Sequence, residues 1–188
     1  MNSSAEPTGT LAVALEHASR LLLQQPQLAI EQAREILKAA PNHPLATLIE
    51  GVGHRLIGDT DAALRILTAL TDAQHRWSQA HYELGLALAD AERMEPAVRA
   101  VRRAVELKPD LPNALRTLGD FLGATGDAAG ADQAYAAHIK VSTRDPRLLA
   151  PAAALQENRI PEAEALLREH LKQFPTDVAA LRMLAEVA

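Results

Sequence analysis

One period runs through most of this chain. Alanine recurs at Ala29, Ala63, Ala97 and Ala131, each 34 residues after the last, and Ala163 follows after 32. Gly51, Gly85 and Gly119 keep the same step, while Pro41 and Pro109, like Gly58 and Gly126, lie two periods apart. Self-similarity at a period of roughly 20–50 residues marks stacked units, none of which can bury its apolar face alone. At 188 residues the chain holds about five and a half such units. The half unit is as informative as the whole ones.

Within each period, apolar residues step by three and four, as in Leu64, Leu67 and Leu70 or Leu115, Leu118 and Leu122, which is helical spacing. Pro44, Pro96, Pro112, Pro146 and Pro161 stand where first helical turns should begin, the position that tolerates proline. Gly58 and Gly126 stand where first helices should end, in the left-handed cap that glycine supplies. Composition agrees. Alanine and leucine account for 38 and 29 residues, aromatics for only 3%. Strands favour aromatic and β-branched residues, so a sandwich or barrel is excluded. The fold class is all-α, built of antiparallel helix pairs at 10–43, 44–77, 78–111, 112–145 and 146–177, with a half repeat at 178–188. Residues 1–9 read as a flexible tail. The small residues of both helices mark where the two cross, since bulk there would overpack the pair. The unit at 146–177 is two residues short and carries Pro151, so its first helix should be shortened or displaced.

The segment HYELGLALADAERMEPAVRAVRRAVELKPD (81–110) carries a Leu-Gly pair, a second-helix alanine and a closing proline. With these features the chain, over about residues 10–188, resembles the tetratricopeptide-repeat (TPR) family. Thr47, His81 and Leu115 replace that family's first-helix tryptophan, and His54, Leu88 and Leu122 its first-helix tyrosine. The first repeat is weaker, with His17 in the glycine column. The resemblance implies a right-handed superhelix, an α-solenoid whose first helices line a concave binding face. Its exposed columns would hold Leu45, Leu48, Ile49 and Val52, then Gln79, Tyr82, Glu83 and Leu86, then Asn113, Arg116, Thr117 and Asp120. Such a face takes an extended peptide or helix, with apolar anchors at one end and polar groups at the other. The alternative is that the array's own amino-terminal helix buries the apolar positions of the second repeat. A clamp for acidic peptide termini, known in the chaperone co-factor class, is rejected here, because Glu83 in the clamp columns would repel a carboxylate.

Enzymatic chemistry finds no foothold in the sequence. GVGHRLIG (51–58) and GATGDAAG (123–130) imitate glycine-rich phosphate loops, but the first does not fit G-x-G-x-x-G and the second lacks the Lys-Ser/Thr pair. The chain has no cysteine and no H-E-x-x-H, so thiol catalysis and those zinc motifs are excluded. We expect no cofactor and no metal. His138 and His170, in one repeat column, read as partly buried and hydrogen-bonded. His75, Trp77, His81 and Tyr82 gather at a repeat junction and read as local packing, with ligand contact as the alternative. Glu31, Arg34 and Glu35, like Glu162, Glu164 and Arg168, read as solvated helix faces.

Net charge of −5, with no basic stretch, speaks against a nucleic-acid partner. No window has the apolar length of a membrane span, and MNSSAEPTGT lacks the basic start of a signal peptide. A soluble, cytoplasmic protein is the default expectation. The half repeat, VAALRMLAEVA, lacks the polar cap that closes an array. We therefore expect either truncation or self-association through this uncapped end. Residues 142–188, TDVAALRMLAEVA above all, are also similar to the amino-terminal repeats of bacterial TPR-containing sulfotransferases. That resemblance implies a non-catalytic arm of a larger enzyme, with no residue here to hold a sulfate donor. The broader expectation is a scaffold for a protein or peptide partner.

Overall fold

The structure is a computed structural model and describes residues 10–142, 146–175 and 177–186. Among these, eleven α-helices and one 3₁₀ turn are present and no strand. The first six helices are α1 (Leu11–Leu21), α2 (Pro26–Ala39), α3 (Pro44–Leu56), α4 (Thr60–Ala73), α5 (Ser78–Asp90) and α6 (Met94–Leu107). They form one compact unit, which ends at Leu107. The second unit, from Lys108, holds α7 (Pro112–Ala124), α8 (Ala128–Ser142), a 3₁₀ turn (Pro146–Leu148), α9 (Leu149–Gln156), α10 (Ile160–Gln173) and α11 (Val178–Glu186).

Packing follows chain order. In the first unit α1, α3 and α5 each pair with the next helix, and α1–α3 and α3–α5 also touch. In the second, α7 pairs with α8, α9 with α10, and α8–α9 and α10–α11 connect the pairs. Ala29, Ala63, Ala97 and Ala163 are completely buried at the crossings. The glycine column shows why. A Cβ on Gly51 would lie 2.8 Å from Leu67 Cγ, and one on Gly119 would lie 2.5 Å from the Tyr135 ring. On Gly85 it would run into the Val101 side chain, with the Val101 nitrogen only 3.2 Å away. Leu67, Val101 and Tyr135 are themselves 34 residues apart, so one repeated contact closes three helix pairs.

Local signals set the ends. Pro26, Pro44, Pro112 and Pro161 occupy first turns, where a missing N–H costs nothing. Asp59, Asp127 and Asp177 accept backbone N–H bonds from Ala62, Gly130 and Ala180 at the starts of α4, α8 and α11. Gly58 and Gly126 turn out of their helices with φ of 81° and 84°, and Glu92, in the same column, does so at 57°. Pro151 explains the short α9. The helix starts only at Leu149, which places Pro151 in its first turn, and the 3₁₀ turn fills the preceding residues. In the first pair, His17 stands in the glycine column and turns outward, donating from Nδ1 to Gln32 Oε1 over 3.1 Å.

Candidate functional site

The expected binding columns meet three different fates. On α3, Leu48 and Val52 are only 7% and 8% exposed, in a core with Leu67 and Leu70 of α4, Ala80 and Ala87 of α5, and Leu22 beside them. Ile49 is buried with Leu15 and Ala18 of α1. These residues present no surface, which corrects their assignment to an open face: α3 is flanked on both sides, and its apolar residues fill the seams. Only Leu45 of this set is exposed.

On α5, Gln79 and Tyr82 are half-buried, while Glu83 is buried. Glu83 is held rather than offered. Gln79 donates to its Oε1 over 2.9 Å, and Arg55 of α3 reaches its Oε2 at 3.5 Å and Asp90 at 3.4 Å. Burial raises the Glu83 carboxyl above the ordinary glutamate range, and Arg55 and Gln79 oppose that shift. The cluster is not fully satisfied. Arg55 Nε is buried and lacks a hydrogen-bond partner, alone in this among the described side chains.

A second network ties α2 to α3. Arg34 donates from Nε to Glu50 over 2.8 Å and from Nη2 to His54 Nε2 over 2.9 Å. A guanidinium only donates, so Nε2 accepts, and His54 Nδ1–H must donate to Asp59 Oδ2 at 2.9 Å. Asp59, which also caps α4, titrates below the ordinary range because it accepts from Ala62 N–H and from His54. Arg34 is therefore a cross-helix tether that, with Glu31 and Glu35, still lies on the exposed face of α2. At the junction, His81 Nε2–H donates to the His75 carbonyl at 3.1 Å and Trp77 packs half-buried on the α3–α4–α5 core.

On α7 the picture reverses. Asn113, Arg116 and Asp120 are all exposed. Asp120 accepts from the Tyr135 hydroxyl at 2.8 Å, whereas Asn113 and Arg116 keep no polar partner among the described residues. They border a pocket of about 260 Å³ with His138 and Ser142 of α8 and Arg182 of α11. The His138 ring is fixed, with Nδ1–H donating to the Pro112 carbonyl over 2.9 Å. Neither Arg182 nor Ser142 stands out in the sequence, because the pocket forms only where α11 meets the α7–α8 pair. Elsewhere in this unit, His170 bonds Asp177 at 2.8 Å and holds that carboxyl below the usual range. Among the described residues no three His, Asp or Glu side chains group as metal ligands, and no helix is long and apolar enough to cross a membrane.

Solved structures share this architecture. TTC0263, a thermophilic TPR protein in Thermus thermophilus, superposes with a TM-score of 0.64 at 18% identity, over 94% of this chain and 98% of that one. The fold is the TPR fold. MamA 41-end from Desulfovibrio magneticus RS-1 matches at 26% identity and a TM-score of 0.61, covering 70% of this chain and 75% of its own. Pseudomonas aeruginosa pilF matches at 16% identity and 0.64, covering 94% and 82%. No family model and no curated protein matches the chain. The helix pairs thus follow TPR geometry, and their first helices supply both the buried ion cluster and the exposed polar columns.

Proposed function

We propose that this TPR chain is a scaffold for protein or peptide partners, engaged by polar columns of its first helices, α5 in the first unit and α7 in the second, each taken by itself. The observation that supports it is the contrast among equivalent positions. Asn113 and Arg116 are exposed and unpaired among the described residues, Gln79 and Tyr82 are half-exposed, and Leu48 and Val52 are sealed in the core. Polar side chains on rigid helices offer hydrogen bonds at fixed spacing without the entropy cost of ordering a loop. A photo-crosslinking residue placed at Gln79 or Asn113 should give discrete adducts in the host cell. The same residue at exposed Arg102 or Asp132, on second helices, should not. Identical adduct patterns from both sets would overturn the reading.

A narrower form makes the array the non-catalytic arm of a larger bacterial sulfotransferase. It draws on the resemblance over 142–188 alone, and genomic sequence past Ala188 tests it. Self-association through α11 draws support from Leu181, which is 45% exposed, whereas Leu184 packs against the core of its own unit. A Leu181→Glu variant with unchanged sedimentation would count against that form.

A further inference from the structure

We infer that the pocket bordered by α7, α8 and α11 receives the carboxylate of an acidic side chain from an extended peptide. This rests on the scaffold reading and names the chemistry of one contact within it.

Among the described residues the lining carries Arg116, Arg182, Asn113, Ser142 and the tethered His138, and no aspartate or glutamate. In a chain of net charge −5, two arginines bordering one pocket with no acid in its described lining run against the overall balance. Several arginines are matched, Arg34 with Glu50, Arg55 with Glu83, Arg103 with Glu106 and Arg168 with Glu164, whereas Arg65, Arg76, Arg93, Arg99 and Arg102 stand without an ion pair among the described residues but line no pocket with a second arginine. Arg116 and Arg182 make no ion pair or hydrogen bond among the described residues. A guanidinium presents a planar fork of donors that matches a carboxylate, and Asn113 and Ser142 add neutral donors. Size narrows the ligand. About 260 Å³ is below the roughly 300–1,000 Å³ typical of small-molecule and cofactor pockets. It suits the end of one acidic side chain while the rest of the peptide runs outside. The site does not depend on the α3 and α5 columns, where Glu83 would repel an acid. It arises because the lining passes from α7 and α8 to α11 without using the shortened α9.

The test uses the full chain and a fluorescein-labelled hexaglutamate with an amidated terminus, read by anisotropy at low salt. Hexaglutamine and inorganic phosphate form the other two arms. Hexaglutamate should bind and hexaglutamine should not. Arg116→Gln with Arg182→Gln should weaken binding by about tenfold or more, since charge-assisted bonds are each worth roughly 1.5–3 kcal/mol and about 1.4 kcal/mol is tenfold. Arg99→Gln with Arg102→Gln, an equal loss of charge on the exposed face of α6, should leave binding unchanged. The inference is overturned if hexaglutamate fails to bind, or if both double variants weaken it alike. It is overturned in favour of a free oxyanion if phosphate protects Arg116 and Arg182 from arginine-directed modification while the peptide does not. Crosslinks from Gln79 and Asn113 that survive Arg116→Gln/Arg182→Gln, with hexaglutamate binding unchanged, would leave the scaffold standing and remove this contact alone.

Discussion

Helices α3 and α7 occupy the same place in their repeats, 68 residues apart, and use it in opposite ways. The four columns hold Leu45, Leu48, Ile49 and Val52 on α3, three of them buried. On α7 they hold Asn113, Arg116, Thr117 and Asp120, and three of these are exposed. Helix α3 lies between α1 and α5, so its columns are seams, whereas the close packing of α7 within its own unit is with α8. Column position alone therefore does not define a binding face. The residue type occupying the column separates seam from surface, and α5, with buried Glu83 beside half-exposed Gln79 and Tyr82, is the intermediate case.

The strongest way to break this comparison is to truncate equivalent positions. Leu48→Ala removes a buried side chain from the α3–α4–α5 core and should cost about 2–5 kcal/mol. Arg116→Ala, in the same column of α7, should change stability by no more than about 0.5 kcal/mol. Urea midpoints measure both. Similar losses would mean that α7 is covered as α3 is.

Glu83 sharpens the intermediate case, because a buried charge ties stability to pH. Its carboxyl titrates above the ordinary range, so in that window the folded state holds more protons than the unfolded state. Stability then falls as pH rises through the window, and the cost of burying the ionised group is fully present above it. Glu83→Gln keeps an oxygen for Gln79 and removes the charge. Measured by urea unfolding between about pH 4 and 7, the wild type should lose stability relative to this variant as pH rises. A constant difference would show that Arg55, despite its 3.5 Å separation, fully offsets burial, and one that grows the other way that it more than does so.

The sequence made the helix pairs, the crossing glycines and the irregular fifth repeat legible, because each rests on spacing or on backbone chemistry near one residue. Gly85 and Pro151 are readable in that way. The partners opposite the glycines were legible in principle, since Leu67, Val101 and Tyr135 form a column of their own. Cross-helix ion contacts were not. Arg34 meets Glu50 across 16 residues and Arg55 meets Glu83 across 28, beyond the three- and four-residue steps that order charges along one helix. Arg182 escaped notice for a related reason: its pocket depends on how α11 meets α7 and α8, and no periodic column predicts a departure from the period.

The crossings permit a finer comparison between the two units. A methyl on Gly85 meets the Val101 side chain and also backbone atoms, the Ala97 oxygen standing at 3.3 Å. The three atoms nearest a methyl on Gly119 all belong to the Tyr135 ring, which is half-buried and can swing. Gly85→Ala should cost about 1–3 kcal/mol as overpacking outweighs the gain in helix propensity. Gly119→Ala should stay under about 1 kcal/mol and free the Tyr135 hydroxyl from Asp120. Thermal unfolding ranks them, and a larger loss at Gly119 would reverse the assignment of which crossing is tighter.

The smallest expected effect concerns the helix ends. Gly58 and Glu92 hold equivalent left-handed positions after α3 and α5, with φ of 81° and 57°. An L side chain in this region costs roughly 1–2 kcal/mol, and glycine avoids that cost while losing more backbone entropy on folding. A Cβ on Gly58 would meet nothing within 4 Å, so Gly58→Ala isolates the conformational term from any clash. It should destabilise the chain by about 1 kcal/mol. Glu92→Gly should stabilise it by about as much or slightly less, and Glu92 makes no ion pair in the described structure that the change would forfeit. Opposite shifts of similar size in the urea midpoint would show that the two turns share one backbone requirement. A destabilised Glu92→Gly would mean instead that the Glu92 side chain supports its turn.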